Sequence, residues 1–222
     1  MVTLCLTAIV PARAQVGIHA GYVHSTYAAE ETSPVLKDKA YDGFEAGLDN
    51  RTDIIGGILA VRYGLTYTYL EQELTPVANY DAKRVGHYLD IPLHLQVGIP
   101  LGIIRVYAFG GPKFVMGLSS RTIYTNGESS LVWRMYNGDL VSNGDVDNAL
   151  ENHVDNELAT YAGSDNKAYK RFDILMGAGL GVELFGILNV TAGYDWGLFN
   201  QSKLDGVKLH RNQFNVGLGI SF

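Results

Sequence analysis

The clearest pattern in the chain is an alternation. Near the C-terminus Phe214, Val216, Leu218, Ile220 and Phe222 alternate with Gln213, Asn215, Gly217, Gly219 and Ser221. On an extended backbone this places every apolar side chain on one face, the signature of a strand with one dry side. The same period of two runs through Leu89, Ile91, Leu93, Leu95, Val97 and Ile99 and through Leu59, Val61, Tyr63, Leu65, Tyr67 and Tyr69. It returns in Val106, Ala108, Phe114, Met116 and Leu118, in Phe172 to Leu184, and in Leu188 to Leu198. Two shorter pieces, Val16 to Tyr22 and Phe44 to Leu48, complete a set of eight predicted strands. Many reach about ten residues, enough to cross a bilayer at a tilt.

The face opposite the apolar one carries Glu45, Arg62, Asp90, Arg105, Lys113, Asp173, Glu183 and Asp195. Charges of both signs are costly in a dry core but can pair inside a narrow barrel. Glycines gather on this face too, as a crowded lumen requires. Pro92 and Pro112 fall within strands and point to bulges or bends. Connections alternate between short ones, near residues 50–57, 100–103 and 185–187, and long ones, near 25–42, 71–84, 119–170 and 200–210. Outer-membrane barrels have short periplasmic turns and long external loops. The expected fold is therefore all-β: an eight-stranded antiparallel up-and-down transmembrane barrel with both termini periplasmic.

Composition changes the picture little. Among 222 residues there are 26 glycines and 14 tyrosines, with 18% charged, a strand-and-turn profile. No apolar run is long enough for a membrane helix, a test that a barrel escapes because only alternate residues face lipid. Val2 to Val10 followed by Ala12 and Ala14 reads as a signal peptide over residues 1–14, leaving a barrel over 15–222. No basic n-region precedes the run, which leaves open that the leader begins further upstream. Cys5, the only cysteine, lies in that leader after the bulky Leu4, so neither a lipoprotein anchor nor a disulfide is expected. Acids outnumber Lys and Arg 23 to 17, which argues against a nucleic-acid partner.

Residues 119–170 are too many for a plain hairpin loop and form a large external insertion. Leu150, Val154, Leu158 and Tyr161 recur at helical spacing, Asn148 with Glu151 suits a capping box, and Gly163 suits a helix end. The spacing predicts a helix over 149–162 on the barrel mouth, with Ile123-Tyr124 and Leu131 to Tyr136 extending the hairpin above the membrane. Asp145 and Asp147 lack the further oxygens of a calcium loop and read as solvated acids. No metal, nucleotide, haem or other cofactor site is expected; Gly177-Ala-Gly-Leu-Gly181 sits inside an alternating strand rather than at a strand–helix turn.

The segment Tyr88-Leu-Asp-Ile-Pro-Leu-His-Leu95 resembles the PorT-like outer-membrane β-barrel family of Bacteroidetes, with Asp90 where Glu is more usual. Tyr107-Ala-Phe-Gly-Gly-Pro112, Gly177 to Glu183 and Tyr194-Asp-Trp-Gly-Leu198 are similar to it as well, and Phe222 resembles the terminal signal read by the barrel-assembly machinery. The resemblance implies a β-barrel in a bacterial outer membrane, in contact with its lipid. It transfers no specific role, and the 119–170 insertion departs from the compact members.

Three functions compete on these residues. The leading one is a structural or surface-binding scaffold with a plugged lumen, whose loops meet a protein or glycan through Tyr124, Trp133 and Tyr136. A narrow channel would use the lumen charges, which read first as a structural network. A lipid acyl hydrolase or acyltransferase would need a serine, base and acid among His24, Ser25, Asp81, His87, Ser202 and His210 at outer strand ends. No nucleophile-elbow spacing supports that chemistry, and the protein is expected not to be an enzyme.

Overall fold

A computed structural model describes residues 14–30, 40–77, 79–162, 165–204 and 206–222. Apart from the backbone of Ala14, the expected leader lies outside them, as do Gly163 and residues 31–39 of the first long connection. Alternating residues build β1 (Ala14–Glu30), β2 (Tyr41–Ile55), β3 (Leu59–Val77), β4 (Tyr80–Leu101) and β5 (Ile104–Thr125). Two short strands, β6 (Ser130–Arg134) and β7 (Asp139–Asn143), and one helix, α1 (Asn148–Tyr161), follow. The chain then returns to the wall with β8 (Phe172–Leu184), β9 (Leu188–Gly197) and β10 (Lys208–Ser221).

Eight of these strands close a ring in the order β1, β2, β3, β4, β5, β8, β9, β10, each pair antiparallel. Closure is made by β1 and β10, with Gly17 opposite Ser221 and Glu30 opposite Lys208. A closed ring leaves no wall strand with a free edge, the condition for strands to stand in hydrocarbon. The turns at one end are tight, at residues 56–58, 102–103 and 185–187, and the barrel's first and last strands begin and end there.

The outward face is apolar and bare: Ile99 is 66% exposed and Leu180 65%, with Ile18, Leu48, Leu95 and Leu218 similarly open. Apolar exposure on this scale marks contact with something other than water. Aromatic side chains ring its outer edge, with Phe44 stacked on Tyr69 at 5.3 Å and Tyr194 edge-on to Trp196 at 5.0 Å, as at a membrane interface.

Three expectations need correction. Residues 71–84 are not a long loop: β3 and β4 continue through them as a hairpin, pairing Glu71 with Val85 and Val77 with Tyr80. The prolines introduce no register shift. Pro92 faces Lys113 and Leu95 faces Gly110 in one unbroken register, and the β4–β5 irregularity sits instead between His87 and Tyr88, where Leu118 is the extra residue. Gly111 explains how the Pro112 region stays in register, since a Cβ there would meet the Leu93 oxygen at 2.2 Å and its φ of 152° suits glycine. Finally, α1 is capped by Asp147, whose Oδ1 accepts from the Leu150 amide at 3.1 Å, one residue before the Asn148 expected from the motif.

Candidate functional site

Inside the ring the charged side chains meet in pairs. Lys113 Nζ donates to Asp195 Oδ2 at 2.6 Å, and the same oxygen accepts from Gln213 at 2.8 Å and Asn215 at 3.2 Å. Arg51 reaches across the lumen to Glu183 at 2.7 Å and back to Asp53 at 2.6 Å. Arg105 lies 3.5 Å from the same Glu183 oxygen and donates to the Gly57 carbonyl at 2.6 Å. Arg62 bonds Asp49 at 2.6 Å, and His19 approaches that carboxylate at 2.8 Å. Such pairing is what makes charge tolerable in a narrow interior.

Of the eight lumen residues read from the sequence, the structure therefore pairs Arg62, Arg105, Lys113, Glu183 and Asp195. Asp90 accepts from Thr68 at 2.8 Å. Asp173 is buried, and Arg211 acts electrostatically on both it and Asp90. Glu45 is half-buried on the lining of a cavity of about 60 Å³, shared with His19, His94, Lys113 and Asp195. Sequence reasoning missed Asp49, Arg51, Arg84 and Arg211. The signal was present: Asp49 and Arg51 share the parity of Glu45, and Arg211 shares that of Gln213.

Three glycines two residues apart on β8 make room for this network. A Cβ on Gly177 would lie 2.2 Å from Asp195, one on Gly179 2.4 Å from Phe109, and one on Gly181 2.3 Å from Tyr107. The Gly-Ala-Gly-Leu-Gly run is thus a space requirement of the lumen.

Above the network the mouth is closed by apolar side chains. Trp133, Met135, Tyr136, Ala168 and Tyr169 descend from the 119–170 segment onto Val23, Leu70, Val115, Leu175 and Leu209 of the wall. A second cluster joins Leu150 and Val154 of α1 to Tyr80, Ala82, Tyr124 and Leu131. These two clusters correct the reading of Tyr124, Trp133 and Tyr136 as exposed anchors: they are 1%, 0% and 6% exposed. The β5 extension turns alternate residues inward over the mouth, where aromatic burial is worth more than surface display. The Trp133 indole N–H donates to the Asn166 carbonyl at 3.0 Å. Burial, reinforced by a hydrogen bond to Glu157, pushes the Tyr124 hydroxyl pKa up, and burial does the same to Tyr136.

The candidate catalytic set does not assemble. Ser25 is buried and donates to the Asn212 carbonyl at 3.2 Å, while His24 pairs with Asp42 at 2.8 Å. His210 stands opposite Ala28, four positions along from the Phe214 that faces His24, roughly 13 Å at strand rise. His87 bonds the Tyr67 hydroxyl at 2.6 Å, and Ser202 donates to the Leu204 carbonyl at 3.4 Å.

A family model described as "Outer membrane protein beta-barrel domain" matches residues 11–203. The chain belongs to this outer-membrane barrel family. Its location is the bacterial outer membrane. No curated protein matches the sequence. Among solved structures, this outer-membrane barrel is similar to Ail, the attachment invasion locus protein of Yersinia pestis, solved with the heparin analogue sucrose octasulfate. That likeness has 14% identity and a TM-score of 0.47, covering 94% of this chain and 99% of that one. Neisserial surface protein A is 12% identical with a TM-score of 0.43, covering 93% and 97% of the two chains. OprG from Pseudomonas aeruginosa is 12% identical with a TM-score of 0.41, covering 95% and 97%.

Proposed function

We propose that this outer-membrane barrel is a non-enzymatic surface scaffold with a closed lumen, presenting a folded cap to a protein or glycan partner outside the cell. The observation that carries the reading is the cap itself. Residues 119–170 pack into the barrel mouth through one apolar cluster and hold α1 through another, so the external segment is a small folded unit. Beneath it the paired charges fill the interior, which favours a scaffold over a channel. The cap's outer surface offers Asp145, Glu151 and Asp155 together with the exposed strand β7, which ends the sheet beyond β6. An outer strand of this kind suits pairing with an extended segment of another protein. Within the family, the Tyr88 to Leu95 segment supports placing the chain in the PorT-like group.

The test is a variant in which a short Gly/Ser turn replaces residues 119–170. It is expected to assemble into a heat-modifiable barrel; a photoreactive group in β7 of the parent should form surface crosslinks on intact cells, and the same group in the wall loops should form them in the parent and not in the variant. Crosslinks placed in the wall loops that persist unchanged without the cap would overturn the platform reading. Large, stable conductance steps from the parent in planar bilayers would overturn the closed lumen.

A further inference from the structure

Just above the lipid-facing wall, on the side of β8 and β9, lies a groove of about 730 Å³ unlike the rest of the cap. Its lining includes four cations, Lys167, Lys170, Arg171 and Lys203, and four aromatic residues, of which Tyr136 and Tyr169 belong to the buried mouth cluster and Phe172 and Phe199 are open. Elsewhere the cap's exposed charges are mainly acids, including Glu128, Asp139, Asp145, Asp147, Glu151 and Asp155. Cations have been gathered here against the overall sign of the protein, which carries a net charge of −6.

The groove is built by the backbone. The Lys170 amide donates to the Gln201 carbonyl at 2.8 Å and the Lys203 amide to the Ala168 carbonyl at 2.9 Å. Tyr169 and Ser202 form a bridge between the same two segments. Two connections that are distant in sequence are thereby locked side by side, and their lysines arrive at one place. Arg171 is held at the base: one guanidinium nitrogen bonds the Gly117 and Leu118 carbonyls at 3.3 Å, the other bonds Asn137 at 2.6 Å, and the group lies 4.9 Å over the Tyr136 ring. Lys167 is engaged by Asp165 at 2.6 Å. Lys170 and Lys203 are exposed and have no carboxylate partner among the described residues.

The aromatic half faces the other way. Phe172 opens β8 on its outward face and Phe199 follows the outer end of β9, with ring centroids 6.3 Å apart and each about half exposed. They stand at the outer end of the apolar band, on the side where Trp196 and Tyr194 mark the membrane interface. Cations above and bare aromatics below, at the level where headgroups meet acyl chains, complement an amphiphile whose headgroup is anionic.

We infer that the Lys167–Lys170–Arg171–Lys203 groove binds the phosphorylated headgroup of an outer-leaflet lipid, with Phe172 and Phe199 against its acyl chains. Two unpaired ammonium groups beside an anchored guanidinium suit a phosphate, which accepts from all three. The site is separate from the outer cap surface proposed above and stands without it.

Native mass spectrometry of the full-length protein in a non-ionic detergent, titrated with lipid A as the probe, tests the inference. One tightly retained lipid per barrel is expected. The double reversal Lys170→Glu with Lys203→Glu should weaken retention at least tenfold, and Lys170→Arg with Lys203→Arg should preserve it. Heat modifiability confirms that each variant is folded, as expected for exposed positions. Phe172→Ser with Phe199→Ser should weaken retention without touching the charges. Equal retention of dephosphorylated lipid A, or of wild-type levels by the reversal variant, would overturn the site. Displacement of the lipid by millimolar inorganic phosphate, with no loss in the Phe variant, would show a free-anion site and overturn the lipid assignment.

Discussion

The wall and the cap are built on opposite plans. In the wall the apolar side chains point out and the charges point in: Leu95, Leu180 and Leu218 are bare while Lys113, Asp195 and Glu183 are buried in pairs. In the cap the order reverses, with Trp133, Leu150 and Val154 inside and Glu151 and Asp155 outside. One strand, β5, takes part in both plans. Up to Gly117 its inward residues are odd-numbered; beyond the extra residue Leu118 they are Ser120, Thr122 and Tyr124. The contrast shows that surrounding solvent, rather than secondary structure, fixes which face of a strand is apolar.

Four experiments probe that contrast. The largest effect is expected in the lumen: Asp195→Ala leaves Lys113 buried without its partner and should cost about 3–5 kcal/mol. Urea titration of the folded, heat-modifiable form would measure it, and adding Lys113→Met should restore much of the loss. A change under 1 kcal/mol would mean that the pair contributes little to the wall. Trp133→Ala removes the largest side chain of the mouth cluster and should cost about 3–5 kcal/mol of cap stability while the barrel stays folded. Limited proteolysis should then cleave within residues 119–170 with barrel mobility on gels unchanged; simultaneous loss of both would show wall and cap to be one cooperative unit. Leu180→Arg on the lipid face should cost about 2–4 kcal/mol, whereas Leu140→Arg on the exposed cap strand should fall within about 0.5 kcal/mol. Equal effects at the two positions would remove the distinction between lipid-facing and water-facing apolar residues. Among the destabilising changes the smallest is Asp147→Ala, which deletes the α1 cap and should cost about 1 kcal/mol, read from protease susceptibility of the helix.

Much of the wall was legible in the residues, and the reason is local. Period-two alternation needs no knowledge of the partner strand, so the lipid-facing residues of β3, β4, β8, β9 and β10 could be read directly. The same pattern underestimated strand lengths. Apolar alternation stops where lipid stops, but β3 and β4 continue to Val77 and from Tyr80, with Glu71, Glu73, Asp81 and Lys83 turned to water. Those polar residues looked like a loop because the outer face no longer had to be apolar. In the cap, helical spacing located α1 to within a residue, yet the aromatic residues that seemed suited to a partner proved to be its core. Spacing says which residues share a face and not what covers it.

The sequence by itself determined the fold class, the strand faces and the mixed charge of the lumen face, because each follows from neighbours one or two positions away. Only the tertiary structure decided which charges meet and which lysines converge. Arg51 finds Glu183 across 132 positions, and Lys113 finds Asp195 across 82. Those distances in sequence are bridged by closure of the ring, and those between the lysines by backbone bonds between the 165–171 and 198–204 segments, and no local period encodes either. Ring closure brings them together because an unpaired strand edge cannot persist in hydrocarbon.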